Sequence, residues 1–87
     1  MATYNIFWKP SAEKDLRRID KKMIPRILDA IGKIAANPFQ PGIRKLQSTE
    51  HTYRMRAGEY RIIYSLEQAA LIIEIVRVRH RKDVYKS

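Results

Sequence analysis

The apolar residues of this chain change period once, and that change decides which folds are open to it. Ile24, Ile27, Leu28, Ile31, Ile34 and Ala35 recur at intervals of three and four, the repeat of one face of an α-helix. Beyond residue 44 the repeat is two, with β-rich runs at 44–47, 52–57, 59–66 and 71–78. Asn37 and Pro38 separate the two regimes, because a proline cannot continue a helix. Pro25 is compatible with the helix, since in its first turn the missing N–H would have had no partner.

Ahead of this helix, Thr3 to Trp8 alternates, with Tyr4, Ile6 and Trp8 on one face, and reads as a strand. Pro10 and Ser11 end it. Ser11 is expected to cap a first helix whose stripe is Ala12, Leu16 and Ile19, with Glu13 and Asp15 in the first turn to complement the helix dipole. Asp20 to Lys22 reads as a turn. The element order is therefore β-α-α-β-β-β-β. Segregated helices and successive strands imply an α+β domain, a helical hairpin packed on one face of a mostly antiparallel sheet. Ala57-Gly58-Glu59 and Glu67 to Ala70 are the tight connections, and the apolar run Leu71 to Val78 suits an interior strand. With 87 residues and no compositional break, residues 1–87 form a single domain.

Charge narrows the partners. Eighteen Lys and Arg against nine acidic residues give a formal charge of +9, the profile of a protein that meets polyanions, nucleic acid first among them. The other reading is a self-repelling surface. There is no cysteine, and the histidines are His51 and His80 alone, so neither a thiolate nor a histidine metal cage is expected. Gly32, Gly42 and Gly58 are scattered singly, which excludes a glycine-rich phosphate loop. No cofactor is expected. No apolar stretch approaches the roughly 18 residues of a membrane span or forms a signal core, so a cytoplasmic protein without membrane association is expected.

Arg54 and Arg56 share a face of one strand, and Arg61 lies on the next strand across a short turn. Converging guanidinium groups suit phosphate and could stabilise charge on a phosphorane-like transition state. A solvated sheet edge, or ion pairs to Glu50, Glu59 and Glu74, would use the same residues. Arg79, His80, Arg81 and Lys82 follow the last strand, with Tyr85 close behind. His80 can exchange a proton near neutrality and Tyr85 could do so among cations, or this is a basic tail with a chance histidine. Tyr4, Trp8, Tyr60 and Tyr64 are better spent on the core. Glu50 and His51 receive no role.

The run Tyr53-Arg54-Met55-Arg56-Ala57-Gly58-Glu59-Tyr60-Arg61-Ile62-Ile63-Tyr64, with Val78-Arg79-His80-Arg81-Lys82-Asp83-Val84-Tyr85, resembles the RelE/ParE superfamily of bacterial toxins. Ser11-Ala12-Glu13-Lys14-Asp15-Leu16, Asn37-Pro38 and Lys45-Leu46 match as well, and the closing segment is similar to the RelE branch. The resemblance implies the toxin of a type II toxin–antitoxin system: a ribosome-dependent endoribonuclease that cuts mRNA in the A site by metal-free attack of a 2′-OH on its phosphate. It implies a cognate antitoxin, the ribosome and mRNA as partners, with operator DNA met only through the antitoxin. By position, Arg54, Arg56 and Arg61 would hold the scissile phosphate, Arg79 or Arg81 would assist, and Tyr85 would stack on or protonate the nucleotide. Lys45, Arg77 and Lys82 would extend the RNA-binding surface. The RelE pattern has lysine where this chain has Arg54, and arginine is a poor base at neutral pH, so His80 is expected to take over proton transfer. The competing expectation is a ParE-like inhibitor that binds DNA gyrase without cutting RNA, and a third is a non-catalytic nucleic-acid binder.

Overall fold

The computed structural model describes residues 3–46 and 51–84. The chain runs β1 (Asn5–Trp8), α1 (Pro10–Arg18), a 3₁₀ turn (Lys21–Met23), α2 (Ile24–Ala36), β2 (Arg44–Lys45), β3 (Thr52–Ala57), β4 (Tyr60–Glu67), β5 (Ile72–His80) and α3 (Arg81–Val84). The strands form one sheet in the order β1-β5-β4-β3-β2. β2 to β5 pair as the expected antiparallel meander, and β1 pairs parallel to β5. The run read as an interior strand is thus flanked on both sides. This is the α+β arrangement expected, two helices on a five-stranded, mostly antiparallel sheet.

The helices cover one sheet face, and the core lies between. α2 buries Ile27, Ala30, Ile31, Ile34 and Ala35. The sheet contributes Ile62, Tyr64, Leu66, Ile73, Ile75 and Val78, with Tyr4, Ile6, Trp8 and Tyr60 packed against them. Full burial of each large apolar side chain stabilises the fold by about 1.5–3 kcal/mol. Tyr64 is fully buried, and its hydroxyl donates to the Pro38 carbonyl at 3.1 Å. Burial, with Tyr53 stacked on its ring, pushes this phenol well above its ordinary range, so it remains a donor. Leu28 departs from expectation: it is 46% exposed, because the buried face of α2 is centred on Ile27, Ile31 and Ile34, and Ala30 occupies the inward place beside them.

Several boundaries differ from the sequence reading: β1 begins at Asn5 rather than Thr3, β4 spans Tyr60–Glu67 rather than 59–66, and three further differences bear on the site. Lys9, in an extended conformation, precedes α1 as its cap, and Pro10 is the first helical residue. Ser11 therefore sits inside the first turn, and its hydroxyl donates to the Val76 carbonyl at 2.8 Å. Leu71 closes the β4–β5 turn with φ +56° and precedes the strand. Finally, β5 runs on to His80, so Arg79 and His80 belong to the sheet.

That longer strand contains a β-bulge. Ile63 pairs with Arg77 while Tyr64 pairs with Ile75, leaving Val76 as the extra residue. Before it, the odd-numbered Ile73 and Ile75 point into the core; after it, the even-numbered Val78 does. An unbroken alternation would have carried Arg77 and Arg79 inward.

α1 locks the bulge in place. β1 pairs with β5 only as far as Trp8 and Ile75, and beyond this point Ser11 and Asp15 serve the open backbone of β5. The Val78 N–H donates to Asp15 Oδ2 at 3.0 Å, while Arg77 Nε and Nη2 donate to Oδ2 and Oδ1 at 2.9 and 3.0 Å. Replacing Asp15 with alanine removes the acceptor for all three donors, so Asp15→Ala is expected to lower stability in urea titrations by about 2–4 kcal/mol. Exposed Glu13 on the same helix is the control, and Glu13→Ala should stay within about 0.5 kcal/mol.

Candidate nucleic-acid interface

In an antiparallel sheet, residues directly opposite one another project from the same face. Across β3, β4 and β5, Arg56 pairs with Arg61 and Arg61 with Arg79, giving three guanidinium side chains in one row. The neighbouring row on that face is Arg44, Arg54, Ile63 and Arg77 across β2 to β5. Residues of the intervening row, Met55, Ile62 and Val78, contribute to the core on the opposite face. Both arginine rows therefore lie on the side of the sheet away from the helices. A bulge, two hairpin registers and the alternation of three strands bring together residues far apart in sequence.

Like charges opposite one another in a sheet oppose folding, and Arg56 faces Arg61 and Arg61 faces Arg79 directly across the strand pairs. Arg56 Nε donates to the Gly58 carbonyl at 3.0 Å, which fixes its direction but leaves its charge. Arg54 and Arg79 make no ion pair among the described residues. Arg54, Arg61 and Arg79 are half-buried and Arg56 is exposed, so several planar donors stand fixed along one surface. Guanidinium groups so placed have the geometry for bidentate contacts to an extended anion.

The other expected site residues fall into three groups. Arg77 has its register position in the second row, but its guanidinium is committed to Asp15. Lys45 pairs with Tyr53, which packs against the core, so its register belongs to the helix side; Arg44 instead shares the row of Arg54. The sequence points to Lys45 rather than Arg44 for this face because parity in a two-residue edge strand is set by its partner. Arg81 and Lys82 are exposed at the start of α3. Tyr85 lies outside the described residues.

His80 stands apart from the arginine row. It pairs with Tyr60, and both adjoin the core side of the sheet, one residue out of phase with Arg61 and Arg79. Both ring nitrogens are engaged. The Lys82 N–H donates to Nδ1 at 3.1 Å, so the neutral ring carries its hydrogen on Nε2, which lies 3.2 Å from Glu59 Oε2. His80 is thereby the N-cap of α3, accepting from the second N–H of that helix. The Arg81 N–H donates to the Glu59 carbonyl at 2.7 Å, so Glu59 grips both sides of the junction. Glu59 is delivered there by the β3–β4 hairpin, whose first loop residue is Gly58 with φ +61°, the conformation that type II′ turns take at that position.

This geometry defines a small α+β domain that presents an arginine-rich sheet face. The family model of the ParE toxin of the type II toxin–antitoxin system, parDE, matches residues 6–85. Toxin RelG of Mycobacterium tuberculosis is 25% identical over 84 residues, covering 95% of this chain and 97% of RelG. A putative RelE-like toxin protein of Escherichia coli is 30% identical over 86 residues, covering 94% of this chain and 90% of its own. Among solved structures, the archaeal RelE–RelB complex from Pyrococcus horikoshii superposes with TM-score 0.78 at 27% identity, covering 91% of this chain and 96% of that one. The chain belongs to the ParE toxin family of type II toxin–antitoxin systems, within the RelE/ParE superfamily.

Arg79 stands directly opposite Arg61 across the β4–β5 pair, so removing the Arg79 charge should stabilise the free protein. Arg79→Gln is expected to raise stability by about 0.5 kcal/mol at low salt, and the gain should vanish in 1 M NaCl, where the Debye length is about 3 Å. Urea titrations at the two salt concentrations check this; a loss of stability at low salt would show instead that Arg79 is held by attraction.

Proposed function

We propose that this toxin is a ribosome-dependent mRNA endoribonuclease of the RelE type, acting through the helix-free face of its sheet. The observation that carries the reading is the cross-strand row Arg56, Arg61 and Arg79, flanked by Arg54. Neutralising one scissile phosphate calls for guanidinium donors converging from several directions, and rigid strands hold them without reorganisation at the moment of reaction. The ribose 2′-OH loses its proton to solvent as its oxygen bonds to the adjacent phosphorus, charge builds on the non-bridging oxygens, and the P–O5′ bond breaks with the 5′-oxygen taking a proton from solvent, giving a 2′,3′-cyclic phosphate and a 5′-OH. In this role Arg61, at the centre of the row, contributes most, with Arg54, Arg56 and Arg79 around it. Arg44, Arg81 and Lys82 contact flanking phosphates.

The surroundings of His80 favour a positioning role over proton transfer. Its Nδ1 lone pair is taken by the Lys82 N–H and its Nε2–H is directed at Glu59, so it orients α3 and the segment leading to Tyr85. A cognate antitoxin belongs to the same reading, supported by the antitoxin-bound state of the Pyrococcus structure. The ParE identity of the matching family model favours the second reading, in which the chain binds DNA gyrase and cuts nothing.

Primer extension on an mRNA translated in a purified bacterial system tests the proposal. Wild type is expected to cut only when ribosomes are present, and Arg61→Ala to lower single-turnover cleavage by roughly 10²–10³-fold. His80→Asn, which retains a capping acceptor, should keep most of the activity that His80→Ala loses, with no change in the pH–rate profile. An equal and large loss in both His80 variants would restore the histidine as the proton-transfer group. Growth arrest without any cuts would transfer the toxin to the gyrase reading.

A further inference from the structure

Where β1 stops, a second cationic site opens beside the arginine row. A cavity of about 300 Å³ lies between the end of α1 and the last residues of β5, lined by Asp15, Arg18, Ile19, Tyr60, Arg77, Val78, Arg79 and His80. Its charges do not balance. Asp15 is neutralised by Arg77 through two hydrogen bonds, which leaves Arg18 and Arg79, neither of them ion-paired among the described residues. Glu59 reaches His80 from outside the lining, and its side chain is 63% exposed. The cavity thus offers two guanidinium groups and a phenol to a ligand, with its one carboxylate satisfied by Arg77 and the His80 nitrogens engaged by Lys82 and Glu59.

We infer that this cavity is a phosphate subsite, in which Arg18 holds a phosphodiester of the RNA next to the one held by the arginine row. The inference rests on the nuclease reading and deepens it. Arg79 connects the two places, since it belongs to the row by register with Arg61 and also lines the cavity. Among the described residues the strand edge between them carries no further strand, because β1 pairs only to Ile75. A single-stranded backbone can therefore pass from the open face over the edge of β5 toward the end of α1. An acidic protein segment would satisfy the same charges, but the continuity with a row suited to successive phosphates favours nucleic acid. Arg18 is then a binding residue from the helical layer, 61 positions before Arg79 in the chain.

The test is fluorescence anisotropy with a labelled 2′-O-methyl RNA hexamer, which lacks the attacking hydroxyl, measured over a series of salt concentrations. Arg18→Ala is expected to weaken binding about 3- to 10-fold and to reduce the slope of log K against log salt by about 0.7, the value for one lost phosphate contact on a single strand. Arg17→Ala, on the same helix but outside the cavity lining, should change neither. If Arg61→Ala weakens binding and Arg18→Ala leaves it unchanged, the subsite is overturned while the nuclease reading stands. If neither weakens it, both fail. A hexaglutamate peptide supplies the remaining arm: loss of its binding in Arg18→Ala with RNA affinity intact would overturn the inference in favour of an acidic protein partner.

Discussion

The carboxylate of Asp15 receives two N–H groups from Arg77 and the backbone N–H of Val78, at the point where β5 exchanges its inward face for its outward one. The rest of the candidate site depends on that junction. A strand that kept its alternation through Val76 would drive two guanidinium groups into an apolar core, at a desolvation cost of several kcal/mol each. The bulge avoids that cost, and α1 supplies the acceptor and donor that the bulged edge requires. Ser11 and Asp15, one helical turn apart, meet Val76 and Val78 on the strand. Helix and sheet are therefore joined by polar contacts at the one place where the apolar layer between them could not choose the register.

From this junction follows a division of labour between the two sheet faces. Toward the helices, Tyr64, Ile62, Ile73 and Ile75 are fully buried and set stability. Away from them, Arg56, Arg61 and Arg79 stand in a cross-strand row that gathers positive charge on one face. His80 belongs with the first group by register, although its sequence position among arginines suggests the second. Its neighbours use both nitrogens to fix the start of α3, which makes it part of the frame of the site.

Much of this architecture was legible in the sequence, for identifiable reasons. The period of α2 is carried by isoleucines at three- and four-residue spacing, and the β-meander by alternation around short turns, so both follow from local pattern. The inward placement of Tyr4, Ile6, Trp8 and Tyr64 followed from the same parity. Arg54, Arg56 and Arg61 could be placed on one face because only a short hairpin separates their strands. What local pattern could not give was pairing at a distance. The parallel alignment of β1 with β5, the choice of Arg44 over Lys45 and the sequestration of Arg77 by Asp15 all depend on partners tens of residues away. The bulge left only a faint trace: after Ile73 and Ile75 the apolar residues shift to the even-numbered Val76 and Val78, but the even-numbered Ile72 before them blurs the switch. Read as an unbroken strand ending at 78, the segment hid both the switch of faces and the true position of Arg79 and His80. Ser11 was misassigned for a related reason, since a serine near a helix start serves a cap or a neighbouring strand equally well.

The most direct test of the central claim, that the helix-free sheet face holds the RNA backbone, is a crystal structure of the protein with a 2′-O-methyl RNA oligonucleotide. The expected result is a phosphate within hydrogen-bonding distance of the guanidinium groups of Arg61 and Arg79, with His80 still capping α3. An oligonucleotide bound elsewhere, with no phosphate on Arg61, or with His80 turned from Lys82 to meet the ribose, would contradict it.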